Sequence, residues 1–260
     1  MKTRYTLMLI AAFSFLTKSC TKKEDENKTA GVTASNCLLI SKQVGSAKMV
    51  YDYFDKGNIK TMSGFYTGST DPDVVYTYTH NANTITYTNE SGREKGTITL
   101  NDKGNAVSHD ITYYSGQDPT QATSMKSEEH TYDASGYLIK MSRTISSSSG
   151  TTSSSRIYEW KNGNLYSTKL VSNAGDTTSK EVYTYYTDKM NAFADFDRKT
   201  KFTGFQSNNL LKEIIDHSSA TPEVIATYSY QFDEKGLPTK TVMNSMGNVT
   251  EEMYTFRCGN

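Results

Sequence analysis

The chain has 260 residues, and 28 Lys plus Arg balance 28 Asp plus Glu, so its formal net charge is zero. That balance, with a pI near 6.9, excludes the basic footprint of a nucleic-acid-binding protein. Nineteen Tyr, about a quarter Ser plus Thr, and only four Pro argue against wholesale disorder and favour strands over helices.

Lys2 and Arg4 precede an apolar stretch from Leu7 to Leu16. This has the form of a signal peptide and is too short to span a bilayer, which needs about 20 apolar residues. Leu16-Thr17-Lys18-Ser19-Cys20 resembles a bacterial lipobox, with Lys18 a departure from the usual small or apolar residue. The resemblance implies that residues 1–19 are removed and that Cys20 carries the lipid. The acidic run Glu24-Asp25-Glu26 in the tether 20–36 resembles the export signal of Bacteroidetes surface lipoproteins. Loss of Lys2, Arg4 and Lys18 leaves 25 basic and 28 acidic groups, net −3. A weakly acidic body is not drawn to anionic lipid, so the anchor supplies the membrane attachment.

From Cys37 onward, alternating runs are separated by turn signals. The runs predicted as strands are 37–44, 47–54, 58–66, 73–80, 83–89, 95–101, 105–114 and 124–133, then 137–146, 153–160, 164–172, 179–187, 210–217, 224–232, 237–244 and 249–257. One pattern recurs: an aromatic-rich strand, a turn with Asp or Asn and Gly, then an aliphatic return. It stands at Tyr51–Ile59, His130–Leu138, Tyr158–Leu165 and Tyr230–Leu237, and more weakly at Leu100–Asn105. Gly supplies the positive φ such loops need, and the Asp hydrogen-bonds the turn backbone. The short links predict an all-β antiparallel meander of about sixteen strands, closed or flattened into a barrel-like sheet over 37–258. An even count sets the first and last strands antiparallel. A Cys37–Cys258 disulfide would then tie them, the alternative being two unrelated buried thiols. Segment 188–209 breaks the alternation and reads as a long loop with a helical turn. Its Phe193, Phe196, Phe202 and Phe205 either cap the apolar interior or form a binding loop. Ser146–Ser155 reads as a flexible tip.

The hairpins at Asp55–Gly57 and Asp133–Gly136 loosely resemble the YD repeats of Rhs-type proteins. Together with Cys37, Tyr158–Leu165, Tyr183–Lys189, Gly204–Leu210 and Tyr254–Cys258, they resemble more closely a family of Bacteroidetes lipoprotein domains of unknown function with a porin-like fold. That resemblance implies a barrel-like β domain and no particular activity. A membrane-spanning barrel is disfavoured by polar residues on both strand faces, such as Lys140 and Arg143 on opposite parities.

His80, His109, His130 and His217 lack metal-ligand spacing, and no cofactor or metal is called for. Glu128/Glu129 and Glu251/Glu252 point to opposite faces of their strands. Asp195/Asp197 is the one carboxylate pair able to converge for glycoside hydrolysis, though solvated loop carboxylates are the favoured reading. Trp160 stands where Tyr53, Tyr132 and Phe232 stand in other hairpins, which favours packing over sugar stacking. Asp176-Thr177-Thr178 resembles a short O-glycosylation motif, with Thr177 the acceptor. The expectation is a non-catalytic outer-membrane lipoprotein, surface-exposed, that binds a glycan or protein partner and no nucleic acid. Trp160, Phe193 and Phe196 are its candidate contacts. The alternatives are a structural envelope protein and a polysaccharide- or peptide-acting enzyme.

Overall fold

The computed structural model describes residues 37–259 apart from 56, 67, 117, 119 and 205. The proposed signal peptide, the tether with Cys20, and Phe205 lie outside the described residues. Sixteen strands follow in order: β1 (Cys37–Val44), β2 (Ala47–Tyr53), β3 (Ile59–Phe65), β4 (Val74–His80), β5 (Thr84–Asn89), β6 (Glu94–Leu100), β7 (Ala106–Tyr114) and β8 (Ala122–Tyr132). Then come β9 (Leu138–Ser147), β10 (Gly150–Lys161), β11 (Asn164–Ser172), β12 (Thr177–Met190), β13 (Asn209–Asp216), β14 (Glu223–Phe232), β15 (Pro238–Ser245) and β16 (Asn248–Cys258). Each pairs antiparallel with its sequence neighbours, and β1 pairs with β16 to close the barrel. In that seam Cys37 faces Cys258, and a disulfide joins them.

The recurrent motif builds a three-residue loop. At Asp133, the carbonyl accepts from Gly136 N–H at 3.1 Å and the N–H donates to Tyr137 O at 3.0 Å. Gly136 sits at φ +95°, the left-handed position of a G1-bulge hairpin. The Asp133 carboxylate accepts from Tyr137 N–H at 2.9 Å, and Asn101 and Asp233 cap their turns likewise. Asn162-Gly163 is different: a two-residue loop with φ of +51° and +74°, as type I′ geometry requires. All of these turns lie at one end of the barrel, because they all join an even strand to the next odd one. A second device recurs at that end. Tyr53 OH donates to Leu39 O at 2.6 Å, Tyr132 OH to Ala106 O at 2.7 Å, and Trp160 Nε1 to Leu138 O at 2.8 Å. Each aromatic residue near the end of an even strand is tied to a carbonyl of the preceding strand.

The core clusters at the same end, in Leu39, Tyr51, Tyr53, Ile59, Ile85, Tyr87, Ile98, Ala106, Ile111 and Phe202. Outward positions carry exposed polar side chains: Thr77 and Thr79, Thr86 and Thr88, Lys95 and Thr97, Glu129 and Thr131, Glu251 and Thr255. The alternation therefore sets the apolar and aromatic core inside and a mainly polar face outside, interrupted by single exposed apolar residues such as Met125, Val249 and Met253.

A short helix, α1 (Ala194–Lys201), interrupts the meander between β12 and β13. Asp195 and Asp197 lie in its first turn and Arg198, Lys199 and Lys201 in its last, complementing the helix dipole. Phe202 closes it in the left-handed conformation and donates to Arg198 O. The segment spans the barrel end. Phe196 meets Tyr51 edge-on at 4.9 Å, Phe193 packs on Tyr254 at 4.6 Å, and Phe202 O accepts from Ala106 N–H at 2.6 Å. Phe193, Phe196 and Phe202 thus cap the interior.

One expectation is corrected. Ser146–Ser155 is not a flexible tip. It is ladder up to a two-residue turn, with Gly150 opposite Ser147 and Ser155 opposite Ser142. Hydroxyl pairs Ser142–Ser155, Thr144–Ser153 and Ser146–Thr151 at 3.1–3.3 Å hold the strands together. Cross-strand hydroxyl bonds replace the apolar pairs whose absence suggested a loop.

Candidate functional site

The barrel interior is not filled throughout. Beneath α1 lies a cavity of about 430 Å³. Its walls are Tyr183 and Tyr185 of β12, Leu210 and Leu211 of β13, Tyr230 of β14, Tyr254 of β16, and Leu39 and Lys42 of β1. Asn191, Phe193, Phe196, Asp197, Lys201, Gln206 and Ser207 roof it. Strand alternation aims the tyrosines of the even strands inward, and the irregular segment brings the amides. Side-chain hydrogen bonds fix that roof. Asn191 Nδ2 donates to Ser207 O at 2.9 Å, and Ser207 Oγ donates to Tyr185 OH at 3.0 Å while accepting from Leu165 N–H. Burial raises the pKa of Tyr185, so its hydroxyl stays protonated as a hydrogen-bonding group. Tyr254 OH donates to Glu252, which also pairs with Lys42 at 2.9 Å. Rings, hydroxyls and amides around one cavity can stack on and hydrogen-bond a polar ring-shaped solute.

A second cavity, of about 400 Å³, shares Leu165 and Tyr183 with the first. Met141, Arg143, Ser154, Arg156, Tyr158, Thr168 and Leu170 complete its lining. Arg143 reaches from β9 to Glu128 of β8, with Nε donating to Oε1 at 2.8 Å and Nη2 approaching it at 2.7 Å. Lys126 Nζ lies 3.3 Å from the same oxygen, and His109 Nδ1 lies 3.7 Å from Oε2. Burial opposes the charge on Glu128, but the nearby His109 ring, the Lys126 charge and the hydrogen-bonded Arg143 guanidinium outweigh it and hold the pKa at about 2. His109 Nε2 in turn lies 3.0 Å from Tyr87 OH. On the neighbouring wall Arg156 stands 3.8 Å from Glu181, whose carboxylate also accepts from Tyr183 and Thr168 hydroxyls.

The structure sorts the residues singled out from the sequence. Phe193 and Phe196 line the first cavity, whereas Trp160 is not among the residues lining either one. Trp160 donates to Leu138 O and stacks on Tyr137 at 4.8 Å, which fixes its hairpin. Asp195 pairs with Arg198 at 2.9 Å and Asp197 with Lys201 at 3.0 Å. Only Asp197 reaches the cavity, so the two are not brought together as an acid pair. Thr177 is exposed at the start of β12. His130 Nδ1 lies 3.2 Å from Ala106 O and His80 Nε2 lies 2.8 Å from Ile59 O. Among the described residues no cluster of His, Cys, Asp or Glu is arranged to hold a metal. Sequence reasoning missed Glu128, Arg143, Arg156, Tyr183 and Tyr185 as interior groups. Parity with the aromatic residues of their own strands was the available signal: Glu128, His130 and Tyr132 share one face, and so do Arg156, Tyr158 and Trp160.

No protein-family model matches the chain, and a comparison with curated proteins finds no match. Solved structures do resemble it. A porin-like protein from Bacteroides uniformis ATCC 8492 aligns with TM-score 0.61 and 18% identity over 85% of this chain and 97% of that one. A porin-like protein from Bacteroides vulgatus ATCC 8482 aligns with TM-score 0.58 and 11% identity over 84% and 97%. The chain therefore shares its barrel fold with porin-like proteins of Bacteroides.

Proposed function

We propose that this chain is a non-catalytic, lipid-anchored envelope protein, displayed at the outer-membrane surface, whose barrel lumen binds a saccharide. The observation that carries the binding reading is the cavity of about 430 Å³, where Tyr183, Tyr185, Phe193 and Phe196 face the amides of Asn191 and Gln206. Its size suits a small ligand. The polar outward face supports attachment through lipid on Cys20. A barrel inserted in the bilayer needs an outward apolar band, and here Thr, Lys and Glu interrupt that face, with apolar residues such as Val249 and Met253 scattered among them. The separate partners of Asp195 and Asp197 support a non-enzymatic role. Thr177, exposed beside a hairpin turn, is the proposed O-glycan acceptor.

Affinity electrophoresis of the full chain in gels containing bacterial, dietary or host polysaccharides tests the binding role. Saturable retardation by one class, weakened by Phe193→Ala and Phe196→Ala, is expected. Migration unaffected by every polysaccharide would contradict it.

A further inference from the structure

The second cavity differs from the first in charge. Arg143 of β9 and Arg156 of β10 both line it, and among its described lining residues there is no carboxylate. Arg143 is opposite Ser154, two residues before Arg156, so the two guanidinium groups are diagonal neighbours on one inward face. Neither is sealed: their side chains are 42% and 37% exposed although they face the lumen.

The carboxylates around them do not use up this charge. Lys126, Arg143 and Arg156 are three cations against the two acids Glu128 and Glu181. Glu128 engages Arg143 through Nε and Nη2, leaving Nη1 for another acceptor. Glu181 stands off Arg156 at 3.8 Å, beyond a hydrogen bond, and takes its donors from Tyr183 and Thr168. A guanidinium presents paired donors that match the two oxygens of a planar carboxylate. Tyr158 and Tyr183 stand beside the arginines, and Leu165 and Tyr183 continue into the first cavity.

From this we infer that the second cavity is an acid-recognition subsite, in which Arg143 and Arg156 hold the carboxylate of a uronic-acid-containing saccharide. The inference rests on the lumenal saccharide reading and names its substrate class. The ring carrying the carboxylate lies against Tyr158 and Tyr183, and the rest of the saccharide extends past Leu165 toward Tyr185.

The test is titration calorimetry of the full chain with trigalacturonate and, in parallel, with neutral maltotriose. Arg156 is the residue to change, because Glu181 keeps the Tyr183 and Thr168 donors without it, whereas Arg143 neutralises buried Glu128. Trigalacturonate should bind more tightly than maltotriose. Arg156→Gln should weaken the acidic ligand by about tenfold or more, the scale of one lost charge-assisted hydrogen bond, while Arg156→Lys loses less. Thermal melts confirm that the variants fold. Equal affinity for both ligands, or an Arg156→Gln variant that binds trigalacturonate as well as the unaltered chain, overturns the inference and leaves the lumenal saccharide reading standing. Binding of neither, with no polysaccharide retarding the chain, overturns both.

Discussion

Arg143 Nε donates to Glu128 Oε1 at 2.8 Å inside the barrel, where Glu128 is only 7% exposed. The pair makes stability depend on acid. The carboxyl is held at about 2 in the folded chain against an ordinary 4.5, so the unfolded chain binds this proton more tightly. The contribution, roughly 3 kcal/mol, is complete above about pH 4.5 and is lost as pH falls toward 2. Urea unfolding across that window should show a steep acid limb that flattens in Glu128→Gln. That variant should also lose about 3 kcal/mol near neutrality, because Arg143 and Lys126 are left without their buried counter-charge.

The Cys37–Cys258 bond closes a sequence separation of 221 residues. Constraining the unfolded chain over such a loop contributes on the order of 5 kcal/mol in the chain-entropy model. The β1–β16 ladder continues beyond the disulfide to Val44 and Glu252, so the seam has hydrogen bonds of its own. A Cys37→Ala/Cys258→Ala double variant should therefore remain a barrel by circular dichroism and unfold at markedly lower urea. Unchanged urea resistance would show that the covalent tie adds nothing to the seam.

Tyr87 lies across Gly96 on the adjacent strand, and a Cβ there would fall 2.2 Å from the ring. The ring also packs against Tyr76, Tyr78 and His109. Gly96→Ala should displace it and cost about 1–3 kcal/mol, the usual scale of overpacking. The Tyr87→Ala/Gly96→Ala double variant checks the mechanism. The effect of the added methyl should largely vanish once the ring is gone.

The proposed membrane attachment is through lipid on Cys20. Cys20→Ser should abolish incorporation of labelled fatty acid and move the chain from the membrane to the soluble fraction. A variant that stays with the membrane would mean that the barrel or a partner holds it there.

Much of the fold was legible because each strand carries its own alternation and each turn its own chemistry. Asp133 and Gly136 mark a loop wherever they occur in that spacing, and Cys37 and Cys258 mark the ends of the sheet. The Ser146–Ser155 hairpin was misread because hydroxyl pairs hold it, and Ser-rich sequence looks the same in a ladder as in a loop. The lumenal charges were hidden for another reason. Glu128 and Glu129 are chemically identical, and what assigns one to the interior and the other to solvent is the parity Glu128 shares with His130 and Tyr132, together with its register opposite Arg143. Each cavity is built by several strands at once, so parity marks Arg156 as inward but nothing local announces it or Tyr185 as a cavity wall. Trp160, conspicuous as the lone tryptophan, proves to anchor Leu138 O instead.

The most direct measurement fills the lumen. Leu211 lines the first cavity beside Tyr185, its partner in the ladder, and Leu211→Trp would occupy that space without opening another. Titration of the full chain with the saccharide that retards it in gels should give saturable binding. Leu211→Trp should abolish that binding, while Trp160→Phe, which removes a hydrogen bond outside both cavities, should leave it intact. Undiminished binding by Leu211→Trp would place the ligand elsewhere and contradict a lumenal site.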